Sequence, residues 1–244
     1  MNWFKYASPA SFYPLAGKMI PWFAVPAAVL TAIGLYLGFF VAPTDYQQGE
    51  AYRIIFIHVP AAWMSMIVYL AMAFWSIIGL IWNSRLSAMM ATALAPTGAV
   101  FCFLALWTGA LWGKPIWGTY WVWDARLTTQ LILMFLYLGY IALQAAIEDP
   151  RRAARASGLL AIVGAFNVPI IYFSVIWWNS LHQAPSITLD KPPTMPASTA
   201  AAMLILALAA WLYTIAVSLK RVRCEILERE RHTAWVTELT AKTN

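Results

Sequence analysis

Charged residues are scarce in this chain of 244 residues. Asp, Glu, Lys and Arg make up 11% of it, against about 25% in a typical soluble domain. Hydrophobic residues make up 62%, whereas soluble domains contain about 45–50%. This composition excludes intrinsic disorder, and it leaves a water-soluble fold too few polar residues to cover its surface. We therefore expect the chain to fold in a lipid bilayer.

Cysteine is almost absent, and common catalytic motifs are missing. Cys102 lies in an apolar stretch and Cys224 in a polar tail, without the CxxC or CxxCH spacing of a disulfide, a zinc site or covalent haem attachment. No glycine-rich phosphate loop is present, so ATP hydrolysis is not expected. The net charge is +6, but no soluble domain carries a basic face, which argues against nucleic-acid binding.

Long apolar runs are what the chain has in abundance. A helix that crosses a bilayer needs about 20 apolar residues, and six runs reach that length: 20–42, 54–82, 89–111, 127–147, 158–178 and 198–219. The first run is too long for a cleaved secretory signal and lacks a clear cleavage site. The sequence predicts an all-α integral membrane protein, with residues 1–244 forming a single six-helix domain.

The basic residues predict the orientation of this bundle. With both termini in the cytoplasm, twelve of the sixteen Lys and Arg residues lie on the cytoplasmic side, as the positive-inside rule favours. The remaining four, Arg53, Lys114, Arg126 and Lys191, lie in or beside the outer connections 43–53, 112–126 and 179–197. The charged tail 220–244 is then a cytoplasmic helix.

Tryptophan is unusually frequent, with 14 residues in the chain. Five of them, Trp107, Trp112, Trp117, Trp121 and Trp123, fall in one short stretch that also contains Tyr120. An interfacial aromatic belt is the ordinary interpretation. A belt spreads its aromatics over many helix ends, however, so this concentration favours a rigid shelf for a flat apolar ligand or for another protein.

Two of the three histidines lie at the predicted outer face. His58 lies near the outer start of the second run and His182 just after the end of the fifth, whereas His232 lies in the charged tail. A single histidine at such a position is usually structural. Two imidazoles beside an aromatic shelf instead suggest a haem site, because haem is flat and apolar and its iron accepts axial imidazoles.

The outer charges fit the same hypothesis, although each of them alone is also explained by snorkelling to the interface. Haem carries two carboxylates, and Arg53, Lys114 and Arg126 are the basic residues nearest to the aromatic segment. Asp124 is expected to brace the segment through hydrogen bonds rather than to perform chemistry.

The stretch WGTYWVWDARLT resembles the WGxxWxWD signature of the tryptophan-rich (WWD) haem-handling proteins of cytochrome c biogenesis. With its length and its two outer histidines, nearly the whole chain is similar to the smaller CcmC family within that group. Tyr120 departs from the pattern, where tryptophan is more frequent. The resemblance implies haem b (iron protoporphyrin IX) held at the periplasmic face between His58 and His182. It also implies that Trp112, Trp117, Trp121, Trp123 and Asp124 form the motif.

The resemblance further implies a haem transporter or chaperone of the bacterial inner membrane rather than an enzyme. Its partners would be the haem chaperone CcmE, the small membrane protein CcmD and the ABC-type complex CcmA/CcmB. A b-type haem oxidoreductase is the main alternative, but it would need histidines deep inside the spans. A larger haem lyase would need a longer chain, and a permease would need more mid-span polar residues than Asn167 and Gln144.

Overall fold

The computed structural model describes residues 6–178, 180–183, 187 and 192–241. In that part of the chain the regular structure is helical, apart from one isolated bridge between Asp45 and Gly49. The α-helices are α1 (Pro9–Tyr36), α2 (Ile55–Ile81), α3 (Arg85–Trp117), α4 (Ala125–Ala146), α5 (Pro150–Gly164), α6 (Asn167–Trp177), α7 (Ala197–Arg229) and α8 (Ala234–Ala241). A π-helical turn, Leu37–Val41, extends α1, and a 3₁₀ turn, Glu50–Ile54, leads into α2.

Six helical segments of the described chain are long and apolar enough to cross a membrane: Pro9–Val41, Glu50–Ile81, Arg85–Trp117, Ala125–Ala146, Pro150–Trp177 and Ala197–Arg229. The prediction of an all-α protein with six spans is therefore confirmed. The fifth span is broken at Ala165 and Phe166, between α5 and α6. Just after the break, the Asn167 side chain donates a hydrogen bond to the Thr129 carbonyl of α4 at 2.9 Å.

The first, third and sixth spans are each at least ten residues longer than predicted, and the change in the third span affects the site. The third span continues past residue 111 to Trp117, and it stops where Gly118 adopts a left-handed conformation with φ +75°. The next helix begins directly after Asp124, whose carboxylate accepts a hydrogen bond from the Leu127 backbone N–H at 2.8 Å. The outer connection predicted at 112–126 is thus only 118–124, and Trp112 and Trp117 stand on a helix.

Helices α2 and α3 form the centre of the bundle, with α4, α5 and α6 on one side and the α1–α7 pair on the other. The core depends on a close approach at Gly98, where a Cβ atom would lie 2.2 Å from the Tyr137 hydroxyl. That hydroxyl donates to the Ser65 carbonyl at 2.7 Å. This packing fixes the relative positions of α2, α3 and α4, which carry most of the site described below.

The charged tail forms the end of α7 and the short helix α8, as far as residue 241. Arg229 pairs with Glu225 at 3.1 Å, and the buried Glu230 pairs with Arg85 at 3.2 Å. The indole N–H of Trp235 donates to Glu230 at 2.9 Å. These contacts hold the tail against the start of α3, at the end of the bundle opposite the site.

Candidate functional site

A cavity of about 330 Å³ opens at one end of the bundle, among α2, α3, α4 and the connection that follows α6. Its size is within the usual range of small-molecule sites, about 300–1,000 Å³. The walls are mainly apolar, and six of the side chains that the sequence singled out line them: His58, Trp112, Trp117, Trp121, Arg126 and His182. Helix packing thus brings together His58 and His182, which are 124 positions apart in the chain.

The two histidines face each other across this cavity. Their ring centres are 6.3 Å apart, and their planes differ by 35°. Two imidazoles that bind one metal from opposite sides, each at a metal–nitrogen distance of about 2 Å, have ring centres roughly 6 Å apart. The observed spacing therefore suits a single metal held between His58 and His182.

A fixed hydrogen bond orients the His58 ring on α2. Its Nδ1 lies 3.1 Å from the Thr108 hydroxyl oxygen. That hydroxyl donates its own proton to the Leu104 carbonyl at 2.5 Å, so its oxygen accepts from the Nδ1–H of His58. The Nε2 atom then keeps its lone pair for a metal, which is the usual arrangement of a ligating histidine.

Gly109 gives the His58 ring room against α3. A Cβ atom at this position would lie 3.0 Å from His58 Cε1, closer than ordinary van der Waals contact. Gly109 therefore allows the imidazole to lie close to the backbone of α3 at the edge of the cavity.

The His182 ring has the same protonation pattern as that of His58, although His182 lies in an irregular connection and not on a helix. Its Nδ1 lies 2.8 Å from the Gln183 carbonyl, which only accepts, so Nδ1 carries the proton and Nε2 keeps the lone pair. Burial and, to a smaller extent, the positive charge of Arg126 together lower the pKa of His182 to about 4. The ring is therefore neutral near pH 7 and able to bind a metal.

Asp124 braces the segment that carries His182. Besides capping α4, its carboxylate accepts a hydrogen bond from the Ser180 hydroxyl. The Ser180 oxygen in turn accepts from the backbone N–H of His182 at 3.1 Å. One carboxylate thus links the start of α4 to the second histidine.

Arg126 is the guanidinium that lines the cavity. It lies in the first turn of α4, and its Nη1 donates to the Ile171 carbonyl at 3.3 Å. No described carboxylate forms an ion pair with it within 4.0 Å. Its charge therefore suits an anionic group of a ligand in the cavity.

Arg53, which the sequence placed at the same site, is directed elsewhere. Its Nη1 donates to the Gly38 carbonyl at 2.6 Å and to the Ala42 carbonyl at 3.1 Å, and its Nε pairs with Glu50. Because these bonds satisfy carbonyls at the end of the π-helical turn, Arg53 holds the α1–α2 connection. The structure does not place it in the wall of the cavity.

Lys114 also lies outside the cavity. Its ammonium donates to the Gly118 carbonyl at 3.0 Å and lies 5.2 Å from the centre of the Tyr120 ring, so it caps the end of α3. The fourth outer cation, Lys191, lies outside the described residues.

The aromatic segment is divided between the cavity and the surface. Trp112 packs edge-on against His58, with ring centres 5.6 Å apart, and its indole N–H donates to the Gln48 side chain at 2.8 Å. Trp123 is 77% exposed, but it packs edge-on against Trp121 at 5.4 Å. Tyr120 and Trp107 are exposed as well, in the manner of an interfacial belt.

The two histidines of the cavity suit a metal whose other ligands belong to a cofactor. Among the described residues, no group of three or more His, Cys, Asp or Glu side chains is placed to hold a metal ion. Two imidazoles would leave a bare zinc ion with too few protein ligands. Iron in a porphyrin already has four ring nitrogens and accepts two imidazoles in its axial positions.

Known proteins are similar to this chain over nearly its whole length. Residues 2–237 match the family described as Heme exporter protein C. The chain is 47% identical to Heme exporter protein C of Escherichia coli strain K12 over 241 residues, which is 98% of this chain and 96% of the relative. It is 48% identical to Heme exporter protein C of Bradyrhizobium diazoefficiens over 229 residues, 94% of this chain and 87% of the relative.

The chain belongs to the heme exporter protein C family. The same description applies to a relative in Haemophilus influenzae, which is 44% identical over 96% of this chain and 95% of its own length. The resemblance inferred from the stretch WGTYWVWDARLT is therefore confirmed.

Three residues of the site were not predicted from the sequence to belong to it: Thr108, Ser180 and Gly109. A threonine in an apolar helix and a serine in a loop carry no signal of their own. Gly109 and Gly113 do form a GxxxG pattern, which commonly marks close helix packing. In the structure these two glycines instead make room for the side chains of His58 and Trp117.

Proposed function

We propose that this chain binds haem b in the cavity, with His58 and His182 as axial ligands, as part of haem export for cytochrome c biogenesis. The observation that carries the proposal is the pair of imidazoles whose ring centres lie 6.3 Å apart, each with its Nδ1 in a hydrogen bond. The relatives named Heme exporter protein C support the same ligand.

Each side chain of the site then has a separate task. Trp112, Trp117 and Trp121 would provide an aromatic surface for the porphyrin and exclude water, and Arg126 would bind a carboxylate of the ligand. Trp123 and Tyr120 support this shelf from its exposed side. Asp124 keeps His182 in place through Ser180. When bound, haem supplies the iron chemistry, and the protein supplies position and protection.

We further propose that the cavity faces the periplasm and that the protein is a multi-pass protein of the bacterial inner membrane with both termini in the cytoplasm. The cavity lies at one end of the bundle, whereas Arg85, Arg151, Arg152 and the basic end of α7 belong to the other end. This separation agrees with the positive-inside rule. Residues 1–244 form one membrane domain in this proposal.

The native cysteines test the orientation. Cys224 is exposed and Cys102 is buried, so an impermeant maleimide is expected to leave intact spheroplasts unlabelled and to label Cys224 after permeabilisation. A Lys114→Cys variant provides the control, because this exposed position at the opposite end is expected to react in intact spheroplasts. Labelling of Cys224 in intact spheroplasts would contradict the proposed orientation.

We propose that the bound haem passes to the periplasmic haem chaperone CcmE, with CcmD and the ABC-type complex CcmA/CcmB as further partners in the membrane. The resemblance to the tryptophan-rich haem-handling proteins supports these partners. The chain then acts as a haem transporter or chaperone and not as an enzyme. Its contacts are with these proteins and with lipid, and not with nucleic acid.

Haem transfer in a purified system tests this function. The full-length protein loaded with haem is mixed with the apo form of CcmE, and the labelling of CcmE with haem is measured after the two proteins are separated. Loaded protein is expected to label CcmE, whereas protein with both site histidines replaced by alanine is expected not to. A His232→Ala variant, altered only in the tail, serves as the control and should transfer normally. Equal labelling of CcmE by free haem alone would sink the proposal.

The hydroxyl of Thr108 is expected to matter although it does not touch the metal. Thr108→Val keeps the shape of the side chain but removes the acceptor for the Nδ1–H of His58. Loss of such a partner typically costs about 10- to 100-fold in metal affinity, so haem retention is expected to fall by roughly that factor. Thr214→Val, which alters a buried threonine bonded only within its own helix, should leave haem retention unchanged, and an equal effect of both changes would refute the role of Thr108.

A further inference from the structure

One wall of the cavity contains a buried polar atom without a partner. The indole Nε1–H of Trp121 is buried and forms no hydrogen bond, although buried donors are nearly always paired. Trp112, on another wall, does satisfy its indole N–H, through Gln48. The free donor at Trp121 therefore points to a ligand that carries an acceptor.

The only described guanidinium in the cavity wall lies five residues further along the chain, at Arg126. The nearest acid in sequence is Asp124, but its oxygens already accept from the Leu127 N–H and the Ser180 hydroxyl. Arg126 uses one bond, to the Ile171 carbonyl, out of the five N–H donors that a guanidinium offers. It therefore adds a positive charge and further N–H donors to a mainly apolar cavity.

We infer that Trp121 Nε1 and Arg126 together form a carboxylate subsite, which holds one propionate of the ligand. This inference rests on the proposed function and specifies which ligand group meets which side chains. Both groups only donate, so a neutral donor or a cation would not satisfy them, whereas a carboxylate accepts from both. The amide of Gln130, another polar group in the wall, is already committed to Ser65 at 2.9 Å.

A single described guanidinium in the wall also limits the number of carboxylates that are neutralised. Trp121 and Arg126 would hold one propionate, and the described wall offers no second guanidinium for the other. The two imidazoles would hold the iron along the line between them. The bound propionate would prevent rotation of the porphyrin about that line, because it determines which edge of the porphyrin faces inward.

The test compares haem with haem dimethyl ester, which lacks both negative charges, in the full-length purified protein. The Trp121→Phe variant keeps a ring but loses the N–H. Because a hydrogen bond to a charged group is comparatively strong, Trp121→Phe is expected to weaken haem binding roughly tenfold to hundredfold more than it weakens binding of the ester. Arg126→Gln is expected to discriminate in the same way.

Trp117→Phe is the matched control, because Trp117 lines the same cavity and loses the same ring area. It is expected to weaken both ligands equally, and retained ester binding shows that each variant is folded. Equal weakening of both ligands by Trp121→Phe would overturn the subsite while leaving the two axial histidines intact. If neither ligand gives a bis-imidazole absorption spectrum in the unaltered protein, the proposed function itself fails.

Discussion

Replacing either His58 or His182 with alanine is expected to convert six-coordinate low-spin haem to a five-coordinate high-spin form and to deplete the purified protein of haem. Loss of the hydrogen-bond partner of a ligating histidine costs about 10- to 100-fold in metal affinity, so loss of the ligand itself is expected to cost at least as much. The double variant is expected to retain no axially ligated haem. Absorption spectra and haem-to-protein ratios measure both effects.

Chemical rescue separates ligation from folding in this experiment. His182 lies in an irregular connection, and its ring fills part of an open cavity. In a His182→Gly variant, added imidazole is therefore expected to occupy the vacated space and restore the low-spin spectrum. A misfolded protein would not respond to imidazole. Failure of rescue in a variant that still binds haem through His58 would argue against His182 as the second ligand.

Enlarging Gly109 is expected to have the next largest effect, although glycine itself binds nothing. A Cβ atom there would lie 3.0 Å from His58 Cε1, so Gly109→Ala pushes the imidazole by a few tenths of an ångström. The branched side chain of Gly109→Val pushes it further. Because axial ligation requires the ring to stay aligned with the opposite histidine, haem retention is expected to fall in steps, moderately for alanine and severely for valine.

The matched control for this series is Gly158→Ala. Gly158 also lies in a membrane-spanning helix, but a Cβ atom there would lie 3.5 Å from the Ser76 Cβ atom, an ordinary contact. This variant should keep the haem content and spectrum of the unaltered protein. Normal haem ligation in Gly109→Val would contradict the proposal that His58 binds the iron from its position against α3.

The helices were predictable because their cause is local. Each span needs only a long apolar stretch, and six of them appear in the sequence and in the structure. The end of α3 was harder to locate, because the lysine, proline and aromatic residues at 112–117 suggest a loop, whereas the left-handed Gly118 actually ends the helix. Trp112 and Trp117 consequently project from a rigid element.

The site was only partly predictable, because its geometry depends on how helices pack. The pairing of His58 with His182 followed from their shared position at the outer ends of spans. The hydrogen bond between His58 and Thr108 joins two helices and depends on their register, which no short motif encodes. Arg53 was predicted at the site because it is close to His58 in sequence. Its side chain instead donates hydrogen bonds to the carbonyls of Gly38 and Ala42.

The aromatic segment shows why residue counts alone were insufficient. The sequence offered two interpretations of its five tryptophans, an interfacial belt and a ligand shelf. The structure places Trp112, Trp117 and Trp121 in the cavity wall and leaves Trp107 and Trp123 exposed. Each interpretation describes a different part of the segment, since only the fold decides which face of each indole meets the cavity.

Electron paramagnetic resonance of the ferric haem complex of the full-length protein tests the central claim most directly. If His58 and His182 both bind the iron, the unaltered protein gives a low-spin bis-imidazole signal, and the His58→Ala, His182→Ala double variant loses it. A high-spin signal from the unaltered protein, or an unchanged low-spin signal from the double variant, would contradict the account.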